Sequence, residues 1–325
     1  MSNGPNTISN TSNIIPAGYF DRRLQEAARA QNVHLQFASL ATNPDGTVAL
    51  PQQSGLTVYF TKLNALTPVT SPGSETADPT PELLSVSRKS ATVDVYDKLV
   101  TASALLDETA AFRFAEMAIP EVAANAAESI DRIVANVLAT STNVLYAGGK
   151  AARTELSYQD LLTPGLVKRA ARFLEINNVP KINGAYIAII HPSVKHDLIS
   201  DDLWVDVAKY STPTQLFNGE IGSLYGVRFI ETSNAKVFTA AGSSGGVSSG
   251  ADPSEVADVY STAFFGAGAY GAVSLGNLRF VSGLDPKVVT QKIWYAGWVW
   301  YGAACILDQN FIIRVESGST VYAEG

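Results

Sequence analysis

The feature that most constrains the fold is a proline-rich polar segment, residues 67–82, which separates two stretches that alternate in the manner of β-strands. Residues 56–63 and residues 90–101 each alternate apolar and polar side chains, which predicts two long strands. The segment between them has four prolines and one glycine among serine, threonine and acidic residues. Because proline has no N–H to donate, this segment can neither join a central sheet nor form a helix. We therefore predict a long hairpin with a polar tip that projects from the body.

A long helical pattern follows the hairpin. It begins at Asp107, and we expect Pro120 to be a first-turn residue of a new helix that continues to about Thr142. The residues that share its core-facing side are Val122, Ala126, Ile130, Ile133, Val137 and Ser141. The charged residues expected largely off this side are Glu121, Glu128, Asp131 and Arg132. At about 1.5 Å per residue the helix spans more than about 30 Å, which makes it a candidate backbone for an elongated molecule.

Beyond Gly148 and Gly149, helical and strand patterns alternate, which predicts a compact α/β domain. Residues 184–191 are apolar on both faces, as expected of a central strand. The other predicted strands are residues 226–232, 258–265 and 278–281. The predicted helices are residues 158–175, whose start Pro164 and Gly165 can interrupt, 192–200 and 202–209. Residues 240–253 are rich in Gly and Ser and predict a surface loop.

Residues 287–315 return to a long strand pattern in which both faces are apolar. One face carries Trp294, Trp298 and Trp300, and the other carries Tyr295, Val299 and Tyr301. Burial on both sides requires partners from elsewhere in the chain, and the hairpin and the long helix are the expected ones. A base-stacking platform is the alternative, but such platforms are interleaved with cations, and only Lys292 lies close. Packing in the core or at a subunit interface is the preferred interpretation.

The charge balance argues against specific recognition of nucleic acid. The chain has 23 Lys and Arg against 30 Asp and Glu, a net charge of −7, whereas affinity for phosphates grows with the number of cationic contacts. Residues 1–13 do not resemble an export signal, and no run of about 18 apolar residues occurs. We therefore expect a protein that is soluble and intracellular when it is made, with no membrane partner. Cys305 is the only cysteine, so no intrachain disulfide forms, and we expect it to be a buried small hydrophobic residue.

The first residues of the chain predict a mobile arm. Residues 1–18 lack hydrophobic periodicity and contain one apolar point, formed by Ile14, Ile15 and Pro16. Residues 19–31 have apolar side chains at helical spacing and predict a short helix. An arm of this kind needs another surface to hold it.

Two glycine-containing motifs imitate catalytic signatures. Residues 266–271 match the dinucleotide fingerprint after a predicted strand, but the helix that must receive the pyrophosphate is missing, so close backbone packing at a turn is the preferred interpretation. Residues 242–246 match the nucleophile-elbow spacing around Ser244, but no histidine follows His196, and we interpret them as a loop.

The three histidines do not form a predicted metal site. His191 and His196 are five residues apart across Pro192, a spacing that does not align two imidazoles on one helical face, and His34 lies far away in sequence. We therefore assign no catalytic, cofactor-binding or metal-binding residue and predict that the protein is not an enzyme.

One run of sequence combines several distinctive motifs: Tyr186-Ile-Ala-Ile-Ile-His-Pro-Ser-Val-Lys-His-Asp-Leu198, followed by Trp204, by Lys209-Tyr210 and by Gly219-Glu-Ile-Gly-Ser-Leu-Tyr-Gly-Val-Arg-Phe-Ile-Glu-Thr232. This run resembles a branch of tailed-bacteriophage major capsid proteins with the Hong Kong 97 (HK97) fold. The order of the surrounding segments is also similar, from the Ser-Gly-Leu-Thr-Val-Tyr-Phe strand at residues 54–60 to Asp285-Pro286. The resemblance covers roughly residues 33–316.

The resemblance implies an α+β, HK97-like capsid fold in four parts. These are an N-terminal arm (1–54), an extended β-hairpin loop or E-loop (55–103), a peripheral domain with a spine helix and C-terminal strands (104–152 and 283–325), and an α/β axial domain (153–282). The loop at 240–253 is longer than the pattern of the family. Some relatives join subunits through a Lys–Asn isopeptide bond. Lys62 and Lys89 lie on the hairpin arms, but no acceptor or assisting Glu matches, so we transfer no such role.

The implied function is structural. Copies of the chain are expected to self-assemble into hexamers and pentamers of an icosahedral shell, in a virion that is assembled in the host cytoplasm and encloses DNA without sequence-specific binding. Portal and cement proteins are further expected partners, and a scaffold, where one is used, is expected to be a separate chain. An encapsulin-like nanocompartment shares the fold and stays an alternative. A nicotinamide-dependent oxidoreductase, an alternative of another class, depends on residues 266–271 alone.

Overall fold

The computed structural model describes residues 32–40, 56–64, 66–73, 76, 78, 81–109, 114–201, 223–243, 256–275, 278–284 and 292–320. The predicted arm at 1–18 and the predicted helices at 19–31 and 202–209 lie outside these residues, as does most of the loop at 240–253. The described part mixes helices and sheets, as predicted.

The predicted hairpin is present. After a short strand β1 (Ser39–Leu40), strand β2 (Thr57–Leu63) pairs antiparallel with β3 (Val86–Thr92). The predicted second strand, 90–101, is wrong as a single element, because β3 ends at Thr92 and β4 (Asp94–Ser103) pairs instead with β13 (Ile293–Ile306). The residue between them, Val93, is buried, and its N–H donates to the Leu56 carbonyl at 2.8 Å. The alternation of apolar and polar residues continues across this point, so the pattern did not reveal the change of partner.

A short helix α1 (Ala104–Thr109) and the long helix α2 (Phe114–Leu138) follow. The prediction that Pro120 opens a new helix is wrong, because Pro120 lies inside α2. Its ring is exposed, and only one helical hydrogen bond is lost at that position. The helix also ends earlier than Thr142: the N–H groups of Thr140 and Ser141 donate to carbonyls three residues back, which closes the helix with tight turns. Its 25 residues span about 37 Å.

Five strands form a sheet around β13. Strand β4 lies on one side of β13, and β11 (Tyr270–Ser274) and β12 (Arg279–Leu284) lie on the other, with β1 parallel to β11. The buried face of β13 packs against α2 and contributes Trp294, Ala296, Trp298 and Trp300 to a core with Ala118, Val122, Ala126 and Ile130. The prediction that the long helix covers the tryptophan face is confirmed.

The second sheet has seven strands, which are β5 (Val144–Tyr146), β6 (Tyr186–Ile190), β7 (Ser223–Leu224), β8 (Val227–Glu231), β9 (Val237–Phe238), β10 (Val259–Phe265) and β14 (Ile312–Ser317). Their order is β5-β14-β10-β6-β8-β7, with β9 paired to β10. The strands predicted at 184–191, 226–232 and 258–265 are confirmed as β6, β8 and β10, and the strand predicted at 278–281 is confirmed as β12. The predicted strand at 287–315 divides into β13 and β14, so the end of the chain returns to this second sheet.

Helices cover both faces of the seven-stranded sheet. Helices α3 (Pro164–Ile176) and α4 (Pro192–Ile199) pack on one face against Ala188 and Ile190 of β6. The end of α2 packs on the other face, where Val134 and Leu138 meet Ile187 and Ile189 of the same strand. This two-sided burial is the reason that β6 is apolar at every position. The helix predicted at 158–175 begins only at Pro164, which occupies its first turn.

A buried polar cluster joins the segment before β1 to α2 and to the five-stranded sheet. Asp131, predicted to lie off the core face of the helix, is instead fully buried. Its carboxylate accepts from the His34 backbone N–H at 2.8 Å and lies 2.9 Å from His34 Nδ1. The Tyr270 hydroxyl donates to the His34 carbonyl, and burial raises the pKa of this phenol. Helical periodicity could not reveal the position of Asp131, because the partner is about 100 residues away in sequence.

A second buried carboxylate, Glu316 of β14, holds the segment before α3. Arg153 donates to both carboxylate oxygens of Glu316, at 2.8 and 2.7 Å, and these hydrogen bonds raise the pKa of Arg153. The Arg153 guanidinium also lies 3.4 Å from the centre of the Phe238 ring. Arg314 lies beside the same carboxylate, with Nε 3.3 Å from a Glu316 oxygen, and burial lowers the pKa of its guanidinium. The buried negative charge is therefore compensated by two cations.

Replacing Asp131 by Ala should lower the free energy of unfolding by about 3–5 kcal/mol, because the change leaves the buried His34 ring and N–H without their acceptor. Glu128→Ala is the matched control on the same helix, since Glu128 makes only an exposed pair with Arg132 at 2.6 Å. That control should lose about 0.5 kcal/mol or less. Denaturant unfolding of the two variants measures both values, and equal losses would contradict the proposed importance of the buried cluster.

Candidate assembly surfaces

The root of the hairpin is fixed to the body by apolar packing. Val58 of β2 and Ala91 of β3 are buried, together with Val93, against Val273 of β11 and Ala303 of β13. The hairpin therefore covers one end of the outer face of β13, which confirms it as one of the two predicted partners of the C-terminal strand.

Two further contacts hold β2 beyond this apolar root. The Phe60 ring lies directly over Gly271, where a Cβ atom would come within 2.6 Å of the ring, so the backbone approach depends on the missing side chain. One step further, Lys62 Nζ lies 2.5 Å from Asp308 Oδ2 and 4.1 Å from the centre of the Phe311 ring. Lys62 thus makes an ion pair with the body of its own subunit.

Past Lys62 the described hairpin residues 64, 66–73, 76, 78 and 81–86 are all exposed. The Thr67 hydroxyl donates to the Glu82 carboxylate at 3.0 Å, and the Asn64 amide donates to Ser85 Oγ at 3.0 Å, so the two arms stay side by side. The prediction of a polar tip is only partly right, because Val69 within it is 88% exposed and Leu83 beside it is 90% exposed. Exposed apolar side chains of this kind are typical of contact surfaces between chains.

A second apolar surface is the outer face of the five-stranded sheet, on the side opposite α2. Strand register places Val95 and Leu99 of β4 on this side, beside Tyr295, Val299 and Tyr301 of β13. Leu99 is 63% exposed, although it lies in a central stretch of the sheet pairing. The sequence pattern predicted this surface, because apolar residues lie on both faces of the C-terminal strand. The sequence interpretation assigned it to the subunit's own hairpin, which covers only one end.

The tryptophan face, in contrast, is fully used inside the subunit. Trp298 Nε1 donates to Asn125 Oδ1 of α2 at 3.1 Å, and Trp300 Nε1 donates to Ser274 Oγ of β11 at 2.9 Å. Both indole N–H groups are therefore satisfied within the core. This geometry supports core packing and not a base-stacking platform.

The glycine motif at 266–271 lies in a turn that leads from β10 in one sheet to β11 in the other. A Cβ on Gly266 would come within 2.5 Å of the Pro180 carbonyl oxygen, and Gly268 has a positive φ of 75°. Strand β11 follows directly, with no helix between. The motif is a site of close backbone packing, as predicted, and the oxidoreductase alternative is not favoured.

At the other motif, Gly242 lies between two carbonyl oxygens, those of Leu156 and Ala257, and its N–H donates to Ala257 at 2.8 Å. The last three residues of the motif, 244–246, lie outside the described residues. Gly242 therefore serves the packing of this loop against the segment before α3.

The structure keeps the three histidines apart. His191 caps α4, because its Nδ1 accepts from the Ser193 N–H at 3.2 Å, and its burial beside Tyr260 lowers its pKa. His196 is exposed, with Nδ1 3.6 Å from Asp197, while His34 belongs to the buried Asp131 cluster. Among the described residues, no group of three or more His, Cys, Asp or Glu side chains has the arrangement of a metal site.

Cys305 on β13 is half-buried, and burial raises the pKa of its thiol to about 11. It packs beside the hairpin root as a small hydrophobic residue. Within the described residues, no helix combines the length and apolarity that a membrane crossing requires.

The raised thiol pKa predicts slow alkylation of the folded protein. Moving the pKa from 9.0 to about 11 lowers the thiolate fraction at pH 8 by roughly a hundredfold, and the thiolate is the reactive species. Iodoacetamide labelling followed by mass spectrometry should therefore be about a hundred times slower in the native protein than in denaturant. Equal rates would show that Cys305 is accessible and ionised, and Cys305→Ser provides the blank.

Two exposed apolar surfaces on a body of one long helix and two sheets define a class of protein that is built for contact with other chains. A model of the phage capsid protein family matches residues 17–274, which is most of the chain. The chain belongs to the phage capsid protein family. The prediction of a tailed-phage major capsid protein, a structural protein, is thereby confirmed.

Solved capsid structures share the fold at low sequence identity. The capsid of Ralstonia phage GP4 superposes with a TM-score of 0.65 and 14% identity over 91% of this chain and 90% of that one. The capsid of cyanophage Pam1 gives 0.63 and 12% over 84% and 88%. The head of Helicobacter pylori bacteriophage KHP40 gives 0.60 and 13% over 82% and 86%. A comparison with curated protein sequences gave no match. The predicted α+β, HK97-like capsid fold is confirmed.

Proposed function

We propose that copies of this chain self-assemble into hexamers and pentamers of an icosahedral shell that encloses phage DNA. The observation that carries the proposal is the hairpin, whose root is buried in its own subunit while the described residues beyond Lys62 are exposed and include Val69 and Leu83. When a neighbouring copy covers exposed apolar side chains, it removes them from water, and this burial lowers the free energy of the assembly.

The hairpin and the outer sheet face are different surfaces of the same subunit. A contact between unlike surfaces is heterologous, and its repetition around an axis closes a ring when the rotation fits. Such rings are capsomers, and copies of one chain are sufficient to form them. We therefore assign the hairpin to contacts within or between capsomers, where it lies over a neighbouring copy.

The four-part division of the subunit remains a proposal. In it, residues 1–54 form the arm, 55–103 the extended loop, 104–152 with 283–325 the peripheral domain, and 153–282 the axial domain. The pairing of β14 with β10 and β5 suggests one refinement, in which residues 312–317 belong with the axial sheet. The arm is proposed to be held by the assembled shell.

Partners other than further copies of the chain are proposed from its net charge and from the capsid protein family to which it belongs. A net charge of −7 suits a container that holds DNA without gripping it, and no sequence-specific contact is proposed. Portal, cement and separate scaffold proteins are proposed partners in a virion assembled in the host cytoplasm, and no catalytic activity is proposed. DNA in purified particles would support this function, whereas a packaged enzyme would support the encapsulin-like alternative, which the family match does not favour.

Replacing residues 66–84 by a short Gly-Ser turn should leave the subunit folded and prevent normal assembly. The fold should persist because β13, α2 and the hairpin root carry the core, so circular dichroism and tryptophan fluorescence should stay nearly unchanged. Sedimentation and negative-stain images should show free subunits or aberrant particles.

A second variant separates the length of the tip from its apolar character. Val69→Ser combined with Leu83→Ser and Leu84→Ser keeps the length and should weaken assembly as well, because all three side chains are exposed in the free subunit. Normal particles from both variants would show that the tip is dispensable.

A further inference from the structure

The five-stranded sheet has two outer strands, β4 and β12, which pair with opposite sides of β13. Among the residues that the structure describes, each of these two strands pairs with β13 alone. Strand β4 has ten residues and β12 has six. In an edge strand, alternate N–H and C=O groups point away from the sheet. Both edges therefore offer backbone hydrogen bonds to a further strand.

The strand register aligns the side chains of the two edges in rows across β13. On the outer face of the sheet, Arg279 of β12 and Asp97 of β4 are both paired with Val299, so they lie at opposite ends of one row. Val281 of β12 and Leu99 of β4 lie at opposite ends of the next row. One row thus ends in opposite charges, and its neighbour ends in two apolar side chains.

The four side chains at the ends of these rows are all exposed. Leu99 is 63% exposed and Val281 is 39% exposed, although both are apolar and both belong to a sheet. Natural sheets usually protect a free edge by keeping it short or by inserting a bulge, whereas β4 pairs with β13 without interruption over its whole length. A long, regular and partly apolar edge is typical of a place where another strand adds to a sheet.

We propose that β12 of one copy adds to the β4 edge of a neighbouring copy, so that the sheet continues from subunit to subunit. Both strands run antiparallel to β13, so the new pair is parallel. With the rows in line, Arg279 of one copy lies beside Asp97 of the next, and Val281 lies beside Leu99. A shift by two residues would place the Arg279 guanidinium beside Leu99 or Val95 and would separate the charges. The side chains therefore select one register.

A second copy is the partner that fits, because each copy carries one edge of each kind and the two edges are complementary. The contact joins unlike surfaces, so it is heterologous, and its repetition leads around a ring instead of stopping at a pair. A strand from an unrelated protein would cover one edge and leave the other open. This inference rests on the proposed shell function and names two surfaces that join neighbouring copies.

Disulfide trapping in the full-length protein tests the register. In a Cys305→Ser background, Leu99→Cys with Val281→Cys should form bonds between copies in oxidised particles. A denaturing gel without reductant should then show covalent oligomers up to pentamers and hexamers. A bond within one subunit is excluded, because the two Cα atoms are two strand spacings apart, about 9.6 Å, and a disulfide spans at most about 7 Å.

The matched control is Val95→Cys with Val281→Cys in the same background. These positions are four residues out of the proposed register, about 13 Å along the strands, so this variant should run as a monomer. Particles that give monomers from both cysteine pairs, or equal cross-linking from both, would overturn the inference.

Charge reversal is a second test that needs no cysteine. Asp97→Arg should raise the protein concentration needed for half of the chain to sediment as particles by about tenfold, because it sets two like charges side by side. Adding Arg279→Asp should recover most of the wild-type assembly, since the pair is restored with opposite signs. Asp94→Arg makes the same charge change on β4 beyond the residues that face β12, and it should assemble like the wild type.

The outcomes separate the two proposals. No recovery in the double variant, or an equal loss in the Asp94→Arg control, would contradict the pairing of the two edges. Failure of the wild type itself to form particles would instead refute the proposed shell function.

Discussion

The packing of the tryptophan face of β13 on α2 is the interaction on which the rest of the structure depends. Three tryptophans bury their rings there, each contributing roughly 4–6 kcal/mol of hydrophobic free energy as an upper estimate. Because β13 also pairs with β4, β11 and β12, this contact fixes the strands that support the hairpin root. The other end of α2 enters the core of the seven-stranded sheet through Val134 and Leu138. One helix thus connects both sheets, and the buried pair of Asp131 with His34 adds the segment before β1 to the same support.

Local periodicity predicted the elements whose environment is uniform along their length. Strand β6 could be predicted as central because helices cover both of its faces, which requires an apolar residue at every position. Pro120 and Asp131 misled the prediction because their meaning depends on tertiary structure. Pro120 is tolerated inside α2 since its ring faces solvent, and Asp131 is tolerated in the core since His34 and its N–H satisfy the carboxylate.

The assembly surfaces were predictable only in part, for a related physical reason. Prolines between two alternating stretches indicated a hairpin. At Val93 the chain changes its strand partner from β2 to β13, but apolar and polar residues keep alternating from β3 into β4, so the sequence does not show the change. The apolar character of both faces of β13 indicated that each face needs a partner. It could not show that the subunit's own hairpin covers only one end of the face that carries Val299. A pattern records that a side chain avoids water, whereas the identity of the chain that covers it is a property of the assembly.

The attachment of the hairpin to its own subunit weakens from the root to the tip. This arrangement suits a subunit that must be stably folded alone and must also bind other copies. Its root is apolar and buried, Lys62 makes an exposed ion pair with Asp308, and the described residues beyond are exposed. An exposed ion pair contributes only about 0–1 kcal/mol, so this attachment guides the direction of the hairpin without locking it. Weak contacts allow a misplaced subunit to leave, and their repetition in every copy of a closed shell makes the correctly closed particle stable.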